Sequence, residues 1–421
     1  MMVPTPRRLM IMWQYVYETR LAPYLAIYGW WIWWPLYRFL KKNNVCFVVN
    51  IAEGTGHVLP ELDNFFRQLR LGEIDPRKKY IWLRTRNDFS RACVALYGHQ
   101  FARAYESNLL YDFLLPILLK FHDVTHDAGT SALYWQLPKK GMMAPAKPWQ
   151  TYLHMGTKQE AHRLWLEYYR RRSETADFVP LHEFGGKALK PDAQLRAFLK
   201  EEPGRLALIH IKTNIMNATA APTDPATYMP ALHCLLNQGF TLVFVGREEM
   251  PDLFRGLPML NYAQSSVASF VHDLQLFALA DVSVVGGSGI AWIADCLDKP
   301  VLYLNSWHMF MPPFSRKCIY VPTLALTKDG QLLSFKEQFE LHYTGGVEKG
   351  DIFPIGDYQP VNANAADILH GLQELLADLK GEKELTLLQE DFRRVHAGSW
   401  MKYAHSRMSD SFVKKYTHLL R

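Results

Sequence analysis

The chain has 421 residues, of which 49% are hydrophobic and 13% aromatic, and its net charge is +6 at pH 7. This composition excludes a disordered chain. Five scattered cysteines without a Cys-x-x-Cys pair exclude a disulfide framework or a zinc site and indicate a reducing compartment. The modest basic charge suits an anionic membrane surface or a phosphate-bearing substrate, and no Lys/Arg block is dense enough to indicate nucleic acid.

The first 44 residues contain an aromatic segment that we assign to the membrane surface. No charge occurs from Leu21 to Tyr37, and these seventeen residues are the lower limit for a membrane span. Four tryptophans in residues 30–34 favour the headgroup level, and basic residues flank both ends. A helix packed against the protein is the alternative. The sequence leaves open whether residues 21–40 span the membrane or lie on it.

Residues 45–190 are predicted to form a first α/β domain. The run VCFVVNIAE at 45–53 is typical of a buried parallel strand that ends at a glycine turn. A second strand is predicted over 78–85, and helices are predicted over 59–71, 89–105, 109–121 and 158–173. The last of these helices ends in clustered arginines, a pattern that predicts a solvated face. The segment FGGKALKPDAQ at 184–194 predicts a hinge between domains.

A second α/β domain is predicted over residues 191–365, followed by C-terminal helices over 366–421. Strands and helices alternate along this domain, which indicates a parallel sheet. The predicted strands cover 205–214, 240–247, 281–287 and 300–305, and the predicted helices cover 226–238, 266–279 and 289–297. Ligands of open parallel sheets bind beyond the carboxyl ends of the strands. The candidate site residues therefore follow these strands.

The stretch DVSVVGGSGIAW, which starts at residue 281, is the main candidate for a phosphate site. Gly287 ends a strand, and Ser288 and Gly289 are predicted to begin a helix. Glycines let the backbone approach a ligand closely, and a helix start offers free N–H groups. The alternative is a tight strand-to-helix turn in which Ser288 only caps the helix.

Two further strand ends of this domain carry polar residues. Arg247 ends one strand, where its planar guanidinium could hold a diphosphate, although a surface ion pair with Glu248 or Asp252 is the alternative. His210, Lys212 and Asn214 end another strand, and the period of a strand places the first two on one face. Three strand ends that converge are stronger evidence than one lysine.

The first domain offers candidates for a catalytic base. Glu53 and His57 follow its first strand and could each remove a proton from a hydroxyl group, although a satisfied turn is the alternative. His122 and His126 in HDVTHD would share a helix face, but no third metal ligand is specified. We therefore expect a polar helix end there and predict no metal site.

Residues 205 onward, about half of the chain, resemble bacterial glycosyltransferases of surface-carbohydrate loci with a two-domain, fucosyltransferase-related (GT-B-like) organisation. The residues that carry the resemblance, in this order, are TYMPALHCLLNQGFTLVFVGR, LNYAQSS, FALADVSVVGGSGIAWIADCLDKPVLYLN, PPFSRK and YQPVNANAADI. The resemblance implies a second domain that binds a nucleotide sugar, and we place Tyr262 of LNYAQSS among the donor-binding residues. Lys212 stands where such proteins tend to carry arginine, and PTDPAT stands in place of an expected Asp-Arg-Asn stretch.

The sequence thus predicts two Rossmann-like domains that face a cleft, as in the GT-B organisation. The resemblance implies a metal-independent glycosyltransferase that uses a nucleotide-diphosphate sugar and no cofactor, and a glycan or lipid-linked glycan of the cell envelope as acceptor. We expect it at the cytoplasmic face of the inner membrane, peripheral or single-pass. The alternative is an inactive scaffold or nucleotide-binding protein of a glycan-assembly complex. A transferase of another group, such as a phosphoryl or acyl group, is a third hypothesis.

Overall fold

The computed structural model describes residues 31–49, 55–108, 110–111, 121, 123–127, 158–200, 204–213, 222–306, 313–340, 358–381, 384–395 and 397–420. The chain divides into two compact units, residues 1–165 and 166–421. The division falls inside a helix. The segment 184–194, predicted as a hinge, contains short helical turns and lies within the second unit.

The first unit contains a four-stranded parallel sheet in the order β3-β2-β1-β4. Its strands are β1 (Val45–Val49), β2 (Lys79–Arg84), β3 (Arg103–Glu106) and β4 (Thr125–Asp127), and its helices are α1 (Trp34–Lys42), α2 (Thr55–Arg70) and α3 (Asp88–Tyr97). Helix α4 (Lys158–Glu174) crosses the division between the units.

Aromatic and aliphatic side chains fill both sides of the first sheet. On one side Phe101 stacks between Phe65 and Trp82, with ring centroids 5.2 and 5.0 Å apart. On the other side Leu40 of α1 packs with Phe47 and other buried residues. Burial on both sides explains why β1 and β2 are apolar runs without strict alternation.

Two sequence predictions for the first unit are wrong. The helix predicted over 89–105 ends at Tyr97, and after a 3₁₀ turn the chain forms β3, which pairs with β2. The polar helix end predicted for HDVTHD is strand β4 over Thr125–Asp127, which pairs with β1. In both cases pairing with a distant strand outweighs the local pattern.

The second unit contains a seven-stranded parallel sheet in the order β13-β10-β9-β8-β5-β6-β7 and a small antiparallel pair, β11 with β12. The strands are β5 (Leu206–His210), β6 (Thr241–Phe244), β7 (Met259–Asn261), β8 (Val282–Gly286), β9 (Val301–Ser306), β10 (Cys318–Pro322), β11 (Leu324–Thr327), β12 (Tyr358–Val361) and β13 (Arg407–Met408).

Helices accompany the strands of this sheet and form most of the C-terminal part. They are α5 (Pro180–Gly185), α6 (Ala193–Leu199), α7 (Met229–Asn237), α8 (Asp252–Arg255), α9 (Phe270–Leu279), α10 (Ala291–Cys296), α11 (Phe335–Glu340), α12 (Ala365–Asp378), α13 (Leu387–Val395) and α14 (Asp410–Lys415). The predictions of an α/β chain with parallel sheets and of a helical C-terminal part are confirmed.

The strand order of the second sheet reverses between β5 and β8. From β5 the chain builds outward through β6 and β7, then returns to place β8, β9 and β10 on the other side of β5. This is the Rossmann-type order, and ligands of such sheets bind where the order reverses, beyond the carboxyl ends of the strands. The ends of β5 and β8 therefore mark the expected position of a site.

The solvated face predicted for the end of helix α4 is wrong. Arg171 and Arg172 are only 6% and 3% exposed. Arg172 forms an ion pair with the Asp295 carboxylate, donates to the Asp295 carbonyl oxygen at 3.0 Å and lies 4.6 Å from the Phe314 ring centroid. The charge pattern of one helix cannot reveal that α10 brings a buried carboxylate to it.

Candidate functional site

Three polar groups meet around the backbone of Gly286, the last residue of β8. A Cβ atom built on Gly286 would lie 3.4 Å from the Lys212 backbone nitrogen, 3.6 Å from Tyr228 Oη and 3.8 Å from His210 Nδ1. His210 ends β5, Lys212 follows it, and Tyr228 precedes α7. These residues surround the point where the strand order reverses.

Two buried polar atoms at this point have no hydrogen-bond partner among the described residues. Tyr228 Oη and His210 Nδ1 are buried without a hydrogen bond. The neighbouring Lys212 is 8% exposed as a whole residue, and its side chain makes no hydrogen bond or ion pair with a described residue. A buried polar group without a partner costs about 1–3 kcal/mol, and a charged group costs more. Such groups are rare in native proteins, and one explanation is a ligand that pairs with them.

His210 is held in place on its other side. Its Nε2 lies 3.1 Å from Glu248 Oε2. Burial works to raise the pKa of Glu248, but the hydrogen bond and charge of His210 and backbone N–H groups outweigh it and lower the pKa to about 2. Because Glu248 is ionised, Nε2 carries a proton, which leaves Nδ1 as an acceptor in the neutral ring and a donor in the charged ring.

Gly246 lets the chain after β6 pass beside His210. Its φ is +110°, and a Cβ atom there would lie 2.6 Å from His210 Cδ2. Only glycine combines that dihedral angle with this contact. Arg247, the next residue, is exposed, and its backbone nitrogen donates to Glu248 Oε2 at 3.2 Å. The loop after β6 thus supports the imidazole with its backbone and presents the guanidinium of Arg247 at the surface.

The glycine turn after β8 differs in detail from its prediction. Helix α10 begins at Ala291, later than the predicted start at residue 289, and it is six residues long. Ser288 Oγ accepts a hydrogen bond from the Ile290 nitrogen at 3.3 Å, and the Ser288 carbonyl oxygen accepts from the Ala291 nitrogen at 3.2 Å. The backbone N–H groups of Ser288 and Gly289 form no hydrogen bond within the part of the chain that the structure describes.

Gly287 is required by packing. A Cβ atom at this position would lie 2.9 Å from the Asn305 carbonyl oxygen and 3.0 Å from Ser306 Cα, both at the end of β9. Asn305 itself is buried, with its amide nitrogen 3.1 Å from Thr223 Oγ1 and its amide oxygen accepting from the Ala363 nitrogen at 2.8 Å. Asn305 therefore fastens two loops beside the site. Sequence analysis missed this role, although an Asn directly after an apolar strand is a signal for it.

The remaining predicted site residues lie in different environments. Tyr262 is fully buried, and its hydroxyl accepts from the Ser269 nitrogen at 3.0 Å and donates to the Ser269 carbonyl oxygen at 2.9 Å. It closes the loop before α9. His57 lies in the first turn of α2, and its side chain is outside the description. Glu53 and Asn214 lie outside the described residues.

The described residues hold no cluster of three or more His, Cys, Asp and Glu residues that could bind a metal ion. His126 of the HDVTHD motif lies 2.8 Å through Nε2 from Gln68 Oε1. That contact satisfies the ring within the first unit.

No protein-family model and no curated protein matches the chain. Among solved structures, E. coli heptosyltransferase WaaC with ADP is 13% identical, covers 66% of this chain and 93% of its own, and has a TM-score of 0.37. E. coli ADP-heptose LPS heptosyltransferase II is 12% identical over 72% and 97%, with a TM-score of 0.35. The wall teichoic acid polymerase TagF is 10% identical over 91% and 98%, with a TM-score of 0.31.

Proposed function

We propose that the protein is a glycosyltransferase whose second unit binds the diphosphate of a nucleotide sugar at the carboxyl edge of the seven-stranded sheet. The observation that supports this most directly is that Tyr228 Oη and His210 Nδ1, both buried and without a partner among the described residues, meet beside the Lys212 backbone where the strand order reverses. A diphosphate supplies the oxygen atoms that an ammonium and a phenol require, and it removes the cost of leaving them unpaired.

The donor's diphosphate would be held from several sides. Lys212 and the exposed Arg247 supply positive charge for the leaving group, and the free N–H groups of Ser288 and Gly289 supply neutral donors. His210 Nδ1 accepts from a donor hydroxyl when neutral and donates to a phosphate oxygen when protonated. We leave Tyr262 out of this set because Ser269 satisfies its hydroxyl. Asn214 remains a predicted donor-binding residue.

The transfer step requires a base for the acceptor. The acceptor hydroxyl oxygen bonds to the anomeric carbon while the bond from that carbon to the diphosphate breaks, and the diphosphate leaves with the electron pair. His57 or Glu53 of the first unit takes the hydroxyl proton. Because Lys212 and Arg247 supply the positive charge, we propose that no metal ion is needed at the leaving group. The acceptor is a glycan or lipid-linked glycan of the cell envelope.

We propose that helix α1 binds an anionic membrane surface. Leu36, Tyr37 and Leu40 pack it on the first unit, as the packed-helix alternative expects. Yet Trp31, which precedes the helix, and Phe39 remain 64% and 62% exposed, and Lys41 and Lys42 lie in the last turn of the helix. Exposed aromatic and basic groups together favour the lipid headgroup region. No helix among the described residues is long and apolar enough to cross a membrane.

Thermal shift with GDP, UDP, ADP, CMP and dTDP tests the donor site. A ligand present at one hundred times its Kd stabilises a protein by about 2.7 kcal/mol, so at least one nucleotide should raise the melting temperature. Release of free sugar or transfer to an acceptor then separates an enzyme from a scaffold, because a scaffold binds without turnover. No stabilisation by any nucleotide, or stabilisation unchanged in Lys212→Met, would reject the proposed site.

A further inference from the structure

A cavity of about 640 Å³ lies at the amino edge of the seven-stranded sheet, the edge opposite the proposed donor site. Asp281, Lys299 and Lys317, which line it, stand immediately before or within one or two residues of the starts of β8, β9 and β10. Strand β8 has five residues, so about 13 Å of sheet separates the two edges. One small ligand cannot reach both.

The lining of this cavity carries more cationic side chains than carboxylates. Lys299 is half-buried, and its ammonium forms no hydrogen bond or ion pair with any described residue. Among the described residues, Arg393 donates to two carbonyl oxygens, of Ala404 at 3.0 Å and of Ser406 at 3.1 Å. Burial lowers the pKa of both side chains, which shows that water has been partly removed from them.

Two of the three carboxylates in the lining form ion pairs with other side chains of the lining. Asp298 Oδ2 lies 2.7 Å from Lys317 Nζ, and Asp378 forms an ion pair with Arg407. Asp281 accepts from the Leu206 backbone nitrogen at 2.7 Å. Asp281 also attracts Lys299 electrostatically, but the lining still has five cationic side chains against three carboxylates, so its net charge is positive.

His405, which also lines the cavity, lies near several arginine side chains. It is half-buried against the Phe314 ring, with centroids 4.7 Å apart. Burial lowers its pKa, and the charges of Arg316, Arg393 and Arg172 lower it further. A neutral imidazole beside several cations fits a place where an anion is needed to complete the charge balance.

We propose that this cavity is a second binding site, specific for an anionic ligand with a phosphate-type group, held by Lys299 and Arg393. Leu375, Leu379 and Leu385 form an apolar wall beside these cations. The cavity volume is in the range of small-molecule sites. The phosphate belongs either to a soluble phosphorylated compound or to the headgroup of a lipid, and the same cations recognise both. The proposal does not depend on the enzymatic activity.

Calorimetric titration with pyrophosphate tests the site, in a Lys212→Met protein that removes the main cation of the other edge. We expect pyrophosphate to bind this protein, and Lys299→Met added to it to weaken binding about tenfold or more, as loss of a charged hydrogen-bond donor does. Lys336→Met is the matched control, because Lys336 is exposed and outside the cavity; it should change nothing. Absence of binding, or equal affinity with and without Lys299, overturns the proposal.

Vesicle sedimentation distinguishes the two sources of the phosphate. If the ligand is a lipid headgroup, phosphatidylglycerol vesicles bind the protein in a manner weakened by Lys299→Met and competed by pyrophosphate, whereas phosphatidylcholine vesicles do not. If it is soluble, vesicle binding is the same with and without Lys299 while pyrophosphate binding still depends on it. If Lys299→Met changes neither vesicle binding nor pyrophosphate affinity, the site is rejected.

Discussion

The two edges of the seven-stranded sheet differ in how their polar groups are satisfied. At the carboxyl edge Tyr228 Oη and His210 Nδ1 are buried without a partner within the described ranges, and they lie with the Lys212 backbone around one glycine. At the amino edge most charges are paired within the protein, and the excess is positive. The strands between the edges are buried along their whole length.

This difference shows that the polar groups available to ligands lie at the ends of the strands. Strands covered on both faces offer no room for polar side chains, so polar residues collect at the ends. A carboxyl edge with unpaired donors and acceptors suits a ligand that makes directed hydrogen bonds. An amino edge with excess cations suits a ligand that mainly supplies negative charge. Substitutions at the carboxyl edge distinguish a ligand-binding site from an edge whose residues serve only packing.

The largest effect is expected for Gly287→Ala. The added Cβ would meet backbone atoms of Asn305 and Ser306 at 2.9–3.0 Å, and backbone atoms of a buried strand cannot move cheaply. We expect the free energy of unfolding to fall by about 3 kcal/mol, measured by denaturant titration. Gly256→Ala is the control, because a Cβ there meets nothing within 4 Å. Equal stability of the two variants would show that the turn after β8 can accommodate a Cβ atom at little energetic cost.

The next effect concerns acid and the His210–Glu248 pair. Since the pKa of Glu248 is lowered to about 2, its ionised form stabilises the fold above its ordinary pKa of 4.5, and this contribution is lost as pH falls through 2. At pH 7 we expect Glu248→Gln to destabilise the protein by about 2 kcal/mol. The difference from wild type should shrink between pH 4.5 and pH 2. A difference that stays constant with pH would contradict the assignment.

Two tyrosines provide a matched comparison. Tyr262→Phe leaves the Ser269 N–H and carbonyl groups without their partner, so it should lower the free energy of unfolding by about 1–2 kcal/mol and leave nucleotide affinity unchanged. Tyr228→Phe removes an unpaired hydroxyl, so it should not destabilise the protein, but it should weaken nucleotide binding by about fivefold. Melting curves and calorimetric titration give both values. The reverse pattern would place Tyr262 in the site.

The smallest effect is expected for Ser288→Ala. Its Oγ accepts one hydrogen bond from the Ile290 nitrogen at 3.3 Å, so its loss should cost about 0.5 kcal/mol of stability, in the range of a single capping bond. Nucleotide affinity should be unchanged, because the proposed phosphate contact comes from the backbone. A loss of affinity of tenfold or more would show that the hydroxyl itself binds the donor.

The sequence predicted β1, β2, β5, β6, β8 and β9, because each contains an apolar run that ends at a polar or glycine residue, but it missed the buried strand β10. It missed β3 and β4, whose segments RAYE and THD have no apolar run and become strands only by pairing with β2 and β1. It also wrongly predicted that the arginines at the end of α4 are solvent-exposed, because the buried Asp295 that pairs with Arg172 is 123 residues away in the sequence.

For the site, the sequence located the strand ends and therefore Lys212, Arg247 and the glycine turn. It did not identify Tyr228, which looks like one more aromatic core residue until its unpaired hydroxyl is seen. Nor did it identify the contact of His210 with Glu248, because the two residues are 38 positions apart. Such roles depend on which strands become neighbours, and that information is absent from local patterns.

Calorimetric titration of three proteins tests the central claim most directly. The ligand is the nucleotide diphosphate that stabilises the wild type most, and the proteins are wild type, Lys212→Met and Lys299→Met. We expect Lys212→Met to weaken binding by about 30-fold, because it removes a charged donor to the diphosphate. It should not lower the melting temperature, because the Lys212 side chain has no ion pair with a described residue in the free protein. Lys299→Met should bind like wild type. Unchanged affinity in Lys212→Met, or a loss confined to Lys299→Met, would contradict a donor site at the carboxyl edge.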